Sequence, residues 1–219
     1  IPGDVTPLDP AYRVRFQTYS IDESYRYNAE SGNRNTCRLQ TLVDVDDSVI
    51  RENADGTTTL SVPRGVQAID CFNDQTKRSG FALSVNTMEL PSSALYMNAN
   101  SGVQVIDGYR VASDNPTYAA TDEGILESKD GTEYIGVPYG TTQLDVPDGV
   151  SRVVVPDVNA IETLVIHADS ADDVPDIDLT KLRNCDIVVE DDALDAFIVR
   201  YADAIEESGT LSIASASDP

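Results

Sequence analysis

Tryptophan is missing from this 219-residue chain, histidine occurs once, at His167, and lysine three times, at Lys77, Lys129 and Lys181. Fifteen Lys and Arg stand against 27 Asp and 11 Glu, which leaves a net charge of −23. Duplex DNA and anionic bilayers repel a surface of that sign, so neither nucleic acid nor a membrane surface is an expected partner. No run of about 18 apolar residues occurs, so no insertion of this segment into a membrane is expected. The three cysteines are too few for a disulfide framework. A Cys37–Cys71 bridge in an oxidising compartment and buried free thiols both fit. No cysteine stands in Cys-x-x-Cys or beside the histidine, which leaves zinc binding and thiol catalysis unsupported. Gly-x-x-x-x-Gly-Lys-Ser/Thr, Gly-x-Gly-x-x-Gly and Gly-x-Ser-x-Gly are all absent. A lone His167 at a strand end more often faces solvent than acts as a base or a metal ligand. The expectation is a protein that is not an enzyme and carries no cofactor.

Acidity is what the chain has in excess, and it is uneven. Residues 141–219 hold 18 acids and 4 bases, and residues 1–140 hold 20 and 11. Solubility or a saline habitat accounts for such a surface; cation binding is the sharper alternative. Asp44, Asp46 and Asp47, and later Asp169, Asp172, Asp173, Asp176 and Asp178, could gather a structural Ca²⁺ through oxygen ligands. Neither cluster has the Asp-x-Asp-x-Asp-Gly register that makes the signal strong. Paired carboxylates are so frequent that no single pair argues for glycoside hydrolysis. The ends, IPGDVTPLDP and SIASASDP, are linker-like and suggest a piece of a longer polypeptide.

One short pattern recurs: apolar, polar, apolar, proline, two further residues and a hydrophobe. It reads LSVPRGVQAI at Leu60–Ile69, MELPSSALYM at Met88–Met97, LDVPDGVSRV at Leu144–Val153 and VVVPDVNAI at Val153–Ile161. LVIHADSA at Leu164–Ala171 and IVVEDDAL at Ile187–Leu194 are weaker copies. Val62 and Leu90 stand at an interval of 28, Leu90 and Val146 at twice that interval, and Ile166 and Val189 at 23. Periods of roughly 20–29 residues suit leucine-rich repeats, in which one short strand per repeat stacks on the next. Alternation puts Leu60 and Val62 on one face and Ser61 on the other. The proline then ends the ladder, because it has no N–H and a fixed φ. Short strands of a β-sandwich would also alternate, but recurrence in one sense at near-constant spacing favours stacking. The six segments are therefore predicted to lie in one largely parallel sheet, in sequence order.

Residues Asp114 to Val150 read DNPTYAATDEGILESKDGTEYIGVPYGTTQLDVPDGV: an Asp-Asn-Pro turn, a Tyr, a Gly-Ile-Leu strand, a Lys-Asp-Gly-Thr turn, and a strand ending in Val-Pro. This order resembles the hairpin-bearing unit of the BspA-like bacterial cell-surface leucine-rich-repeat family. The resemblance extends over Thr58 to Ile213, with Cys71-Phe72 where the family has an Ala-Phe-containing convex turn. It departs at Asn73–Ser84, a polar stretch without compact Leu spacing, and at His167, which replaces a proline. The resemblance implies a β-rich α/β fold. Residues 58–219 would form a leucine-rich-repeat solenoid with a curved parallel sheet, an irregular convex side, one β-hairpin insertion (Gly124–Ser128 with Glu133–Val137) and a C-terminal cap helix. Residues 1–57, with alternating VRFQTY and LVDV runs, would form an N-terminal β-rich cap or flanking segment. The resemblance also implies an extracellular, cell-surface or secreted module that binds a protein or glycan on a host or neighbouring cell. An accessory or catalytic domain of a surface glycan-acting hydrolase, or a purely structural spacer, is the alternative.

Two local readings complete the picture. Asp191 and Asp192 suit the start of a helix. Leu194, Phe197, Ile198, Tyr201 and Ile205 fall on one stripe of it, Gly209 suits its exit, and Leu211 and Ile213 suggest a last strand. If the strand residues flanking them point inward, Val154, Val165 and Val188 form an outward row, a candidate partner-binding concave stripe. Ser61, Glu89 and Asp145 are the polar equivalents in earlier repeats. Tyr12, Tyr19, Tyr25 and Tyr27 could form an aromatic surface, although strands favour tyrosine anyway.

Overall fold

The structure, a computed structural model, describes residues 15–20, 35–41, 50–62, 64, 68–69, 83–97, 103–157 and 159–217. The chain divides into two compact units, Ile1–Ala120 and Thr121–Pro219. The proposed Cys37–Cys71 bridge, the Asp44, Asp46 and Asp47 cluster and the side chains of Tyr12, Tyr19, Tyr25 and Tyr27 lie outside what is described.

The first unit contains β1 (Arg15–Ser20), β2 (Asn35–Thr41), β3 (Ile50–Glu52), β4 (Thr58–Ser61), β5 (Ala68–Ile69), β6 (Leu83–Leu90), β7 (Tyr96–Met97), β8 (Val103–Val111) and β9 (Tyr118–Ala120). Two sheets form, in the orders β3-β4-β6-β8 and β1-β2-β5-β7. In the first, β4, β6 and β8 run parallel, with Leu60 opposite Met88 and Met88 opposite Tyr109. The interval read from the sequence between the first two copies of the pattern is thus the register of the ladder. In the second, the short strands β5 and β7 pair in parallel through Ala68–Tyr96 and Ile69–Met97.

The second unit repeats the plan. It comprises β10 (Leu126–Ser128), β11 (Glu133–Gly136), β12 (Gln143–Val146), β13 (Arg152–Val153), β14 (Thr163–Ile166), β15 (Asp176–Ile177), β16 (Asp186–Val189), helices α1 (Asp191–Arg200) and α2 (Ala202–Ser208), and β17 (Ser212–Ser215). Strands β12-β14-β16-β17 form one wholly parallel sheet. Its inward columns are Leu144–Leu164–Ile187–Ile213 and Val146–Ile166–Val189–Ser215. A second ladder runs β10-β11-β13-β15 and brings Tyr134, Val153 and Ile177 into line. Except for Ser215, these columns share one apolar core with Val150, Val155, Leu179, Leu182, Ala193 and Phe197. Each fully buried Leu, Ile or Val there contributes roughly 1.5–3 kcal/mol. This is a β-rich, repeat-type fold.

The six segments predicted for one sheet are divided: Leu60–Val62 and Met88–Leu90 belong to the β3-β4-β6-β8 sheet, Leu144–Val146, Leu164–Ile166 and Ile187–Val189 to the β12-β14-β16-β17 sheet, and Val153–Val155 join neither. Val155 follows Val146 by only nine positions, and extended chain advances about 3.3 Å per residue. That length reaches the other ladder but cannot complete a coil and return. Val153 accordingly pairs with Tyr134 and Ile177 rather than with Val146.

The expected hairpin is present. β10 and β11 pair antiparallel, with a bulge between Leu126 and Glu127, and Gly131 in the turn has φ +74°. Asp130 locks that turn by accepting from Ser128 Oγ at 2.7 Å and Thr132 Oγ1 at 2.9 Å. A Cβ at Gly131 would meet only Glu127 Oε2 at 3.9 Å, so the obstacle to a side chain is conformational rather than steric. Gly131→Val should cost about 1 kcal/mol or more in urea denaturation; an unchanged midpoint would contradict a left-handed Gly131.

Both units use a tyrosine hydroxyl to close a short strand. Tyr118 accepts from the Met97 amide at 2.9 Å and donates to the Leu95 carbonyl at 3.4 Å. Tyr201 accepts from the Ile177 amide at 2.8 Å and donates to the Pro175 carbonyl at 2.6 Å. The polar groups of a strand too short to find a full ladder are thereby satisfied.

Helices occupy the crossover from β16 to β17. α1 packs over the 3-10 turn Ala171–Asp173 and α2 over the turn Leu179–Lys181. Ala193, Phe197 and Tyr201 are buried, and Gly209 leaves the helix in the left-handed conformation at φ +58°. Two details differ from expectation. Ile198 is 43% exposed rather than part of the buried stripe. The Asp191 carboxylate does not cap its helix but binds Ser215 Oγ and the Ser217 amide, and the Ser215 hydrogen bond holds its pKa below the usual carboxylate value.

Candidate binding face

Strand alternation decides which side chains of the β12-β14-β16-β17 sheet turn away from the core. Leu144, Val146, Leu164, Ile166, Ile187 and Val189 are buried. Asp145, Val165, Val188 and Ala214, one residue out of phase, are exposed or half-buried. Register pairs Asp145 with Val165, Val165 with Val188, and Val188 with Ala214. Four side chains therefore form a straight row across the sheet.

Two rows flank it. On one side lie Gln143, Thr163, Asp186 and Ser212; Gln143 Nε2 donates to both Asp145 oxygens, at 3.2 and 3.1 Å. On the other, just past the strand ends, His167 Nδ1 lies 3.1 Å from Glu190 Oε1, with both side chains nearly half exposed. The result is an apolar centre between polar edges that carry Asp186, Glu190 and His167.

Of the three valines expected in the stripe, the structure brings Val165 and Val188 together. Val154 lies elsewhere: it follows β13, and its amide donates to the Tyr134 carbonyl at 2.8 Å. Ala214 takes the remaining apolar place in the row. Its strand, SIAS, is followed by no proline, as is also true of the Leu164 and Ile187 copies, and alternation around Ile213 was the one signal that could have located it.

The equivalent face of the first unit has a different chemistry. Glu89, opposite Ser61 and Arg110, accepts from Ser61 Oγ at 2.6 Å and lies 3.6 Å from Arg51 and 3.8 Å from Arg110. Asn86 donates to Asp107 at 2.8 Å and accepts from the Thr58 amide at 3.0 Å. Those polar groups are occupied with one another.

Among the described residues no three His, Cys, Asp or Glu side chains converge as a metal site. The later Asp cluster is engaged locally. Asp173 accepts from Ser170 Oγ at 2.6 Å, Asp178 from Thr180 Oγ1 at 2.6 Å, and Asp176 pairs with Arg200 at 3.7 Å. At equal ionic strength NaCl and CaCl₂ should raise the melting midpoint equally, by screening mutual repulsion. A calcium-specific rise, lost on changing Asp172, Asp173 and Asp176 to Asn, would establish a site instead. Cys185 is fully buried, and burial pushes its thiol up to about 11. Burial also raises the Glu127 carboxyl, but the nearby Asp130, held low first by Ser128, is committed to the hairpin turn.

No protein-family profile and no curated protein matches the chain. Two solved structures are similar. A leucine-rich repeat protein from Eubacterium ventriosum aligns with a TM-score of 0.38 and 13% identity over 61% of this chain and 36% of that one. The pneumococcal vaccine antigen PcpA aligns with a TM-score of 0.31 and 12% identity over 68% and 59%. This chain thus spans about a third and three-fifths of their lengths. No helix among the described residues is long and apolar enough to cross a membrane.

Proposed function

We infer that the chain is a non-enzymatic, extracellular leucine-rich-repeat module of a BspA-like bacterial surface or secreted protein. Its stacked parallel strands are successive coils of a solenoid, and its work is adhesive binding of a protein or glycan through the outward face of the β12-β14-β16-β17 sheet. The observation that carries this reading is the row Asp145–Val165–Val188–Ala214. Two half-buried valines stand side by side where alternation alone calls for polar residues, as it does at Ser61 and Glu89 in the first unit. An apolar centre with a polar rim is the usual anatomy of a binding patch. The repeated pattern and its resemblance to the bacterial surface family supply the location and the class of partner.

The test is a binding panel of immobilised extracellular-matrix proteins and bacterial and host glycans. It is run with the parent and with Val165→Asp/Val188→Asp, using Val165→Thr/Val188→Thr to preserve β-branching. A ligand of the parent should lose about tenfold or more in affinity for the Asp pair and less for the Thr pair, with melting midpoints unchanged. Equal binding by the Asp pair would remove the face as the site. Release of reducing ends from a bound glycan would establish the hydrolase reading, and silence across the panel the spacer.

A further inference from the structure

We propose that Tyr134, Glu127, Glu123 and Asp145 form a site for a guanidinium group, carried by an arginine side chain or by a small guanidinium compound. The site adjoins the outward row through Asp145 but does not depend on that row binding anything.

The register of the hairpin builds it. One step along β10, from Leu126 to Glu127, matches two along β11, from Gly136 to Tyr134. Even pairing would have set Ile135 beside Glu127; the extra residue brings Tyr134 there instead. Glu127 is half-buried and Tyr134 is 5% exposed. Among the described residues the Tyr134 hydroxyl makes no hydrogen bond, and the Glu127 carboxylate makes neither a hydrogen bond nor an ion pair. Buried polar groups are seldom left so. The Tyr118 and Tyr201 hydroxyls, by contrast, each serve two backbone groups.

Charge identifies the missing partner. Burial first, then the carboxylates of Glu127, Glu123 and Asp145, raise the Tyr134 pKa, and no Lys or Arg acts on it. Burial alone raises the Glu127 carboxyl, the behaviour of an acid without a counter-ion. Arg152, on the adjoining strand β13, is already paired with Glu133 at 3.6 Å. Glu123 and Asp145 are exposed, so an acidic rim surrounds the half-buried carboxylate and the buried hydroxyl, and such an arrangement draws in a cation. That cation is not a bare ion, because among the described residues no three carboxylates converge closely enough to ligate one. A guanidinium fits the wider spacing: its five N–H donors lie in a plane and reach separated acceptors together, whereas an ammonium is a compact point charge.

The experiment is an NMR titration of the whole chain. The ligands are methylguanidinium, a pentapeptide with a central arginine, the same peptide with lysine or citrulline at that place, and CaCl₂. The arginine peptide should shift the Glu127 and Tyr134 amide signals with a Kd of about 1 mM. It should bind about tenfold tighter than the lysine peptide and weaken with salt, and the citrulline peptide should not bind. Glu127→Gln should weaken binding about tenfold and Tyr134→Phe about fivefold. The free Tyr134→Phe chain should melt no lower than the parent, because its hydroxyl has no partner to lose. Tighter binding of the arginine peptide than of methylguanidinium places the group on a polypeptide; equal binding makes a small compound sufficient. Val165→Thr/Val188→Thr should bind the arginine peptide as the parent does, so the outward face can fail while this site stands. No shift at Glu127 and Tyr134 with either guanidinium ligand would overturn the proposal. Equal binding of the lysine or citrulline peptide, the same shifts with CaCl₂, or a clearly lowered melting midpoint for Tyr134→Phe would overturn it too.

Discussion

Replacing Asn115 with alanine is expected to destabilise the first unit by about 4 kcal/mol, because one side chain satisfies four backbone groups in a dry place. Asn115 is 1% exposed. Its Nδ2 donates to the Pro91 and Ala94 carbonyls at 2.8 and 3.0 Å, and its Oδ1 accepts from the Thr117 and Tyr118 amides, both at 2.8 Å. Alanine would leave two amides and two carbonyls without partners, each costing roughly 1–3 kcal/mol where water cannot reach. Total stabilities of about 5–15 kcal/mol leave little margin for such a loss. Asn115→Asp keeps the acceptor but turns a carboxylate oxygen toward the two carbonyls, so it should fail as well. Urea denaturation with hydrogen exchange followed over residues 103–118 measures both variants. A midpoint for the alanine variant within about 0.5 kcal/mol of the parent would mean that these four bonds are readily replaced by water.

Asn115 also shows how far the sequence could be read. Asp-Asn-Pro announced a turn, and the turn exists: the Asn115 amide donates to the Ala112 carbonyl at 2.9 Å. That its side chain also fastens Pro91 and Ala94, far upstream in the chain, is a tertiary fact without a local signal. Asn159 does related work, donating to the Pro156 carbonyl at 3.0 Å and the Lys181 carbonyl at 3.2 Å. Repeat spacing was more informative, since a parallel ladder turns a sequence interval directly into a register. The intervals from Leu60 to Met88 and from Ile166 to Val189 are both pairings in the structure. Pattern matching failed where interval was ignored. VVVP resembled the other copies, yet lay too close to LDVP to be the next rung. Val154 left the candidate row for that reason, and Ala214 entered it from the last strand, which Leu211 and Ile213 had suggested but whose place in the row had not been read.

Tyr201→Phe is expected to cost the second unit about 3 kcal/mol and to lower its melting midpoint by roughly 10–20 °C. The substitution removes one oxygen and almost no volume. The ring still packs on Phe197 at 4.8 Å between centroids, with the Arg200 guanidinium 5.6 Å from its centre. Any loss therefore reports the hydroxyl, which serves both the Ile177 amide and the Pro175 carbonyl. Without it the two-residue strand β15 keeps its pairing to β13, but the buried Ile177 amide and Pro175 carbonyl lose their partner. Burial raises the Tyr201 pKa above its ordinary value, so the group remains a neutral donor throughout the range in which the protein would be studied. Raised folded-state pKa means that the neutral form is the one favoured by folding; this contribution is present below the unfolded tyrosine value and fades only as pH climbs through the higher folded one. The Tyr201→Phe deficit should accordingly be flat from about pH 6 to 9. A deficit that varied across that window would point to another titrating group. A deficit under about 0.5 kcal/mol would mean that water replaces the hydroxyl and that the short strand needs no tyrosine to close it.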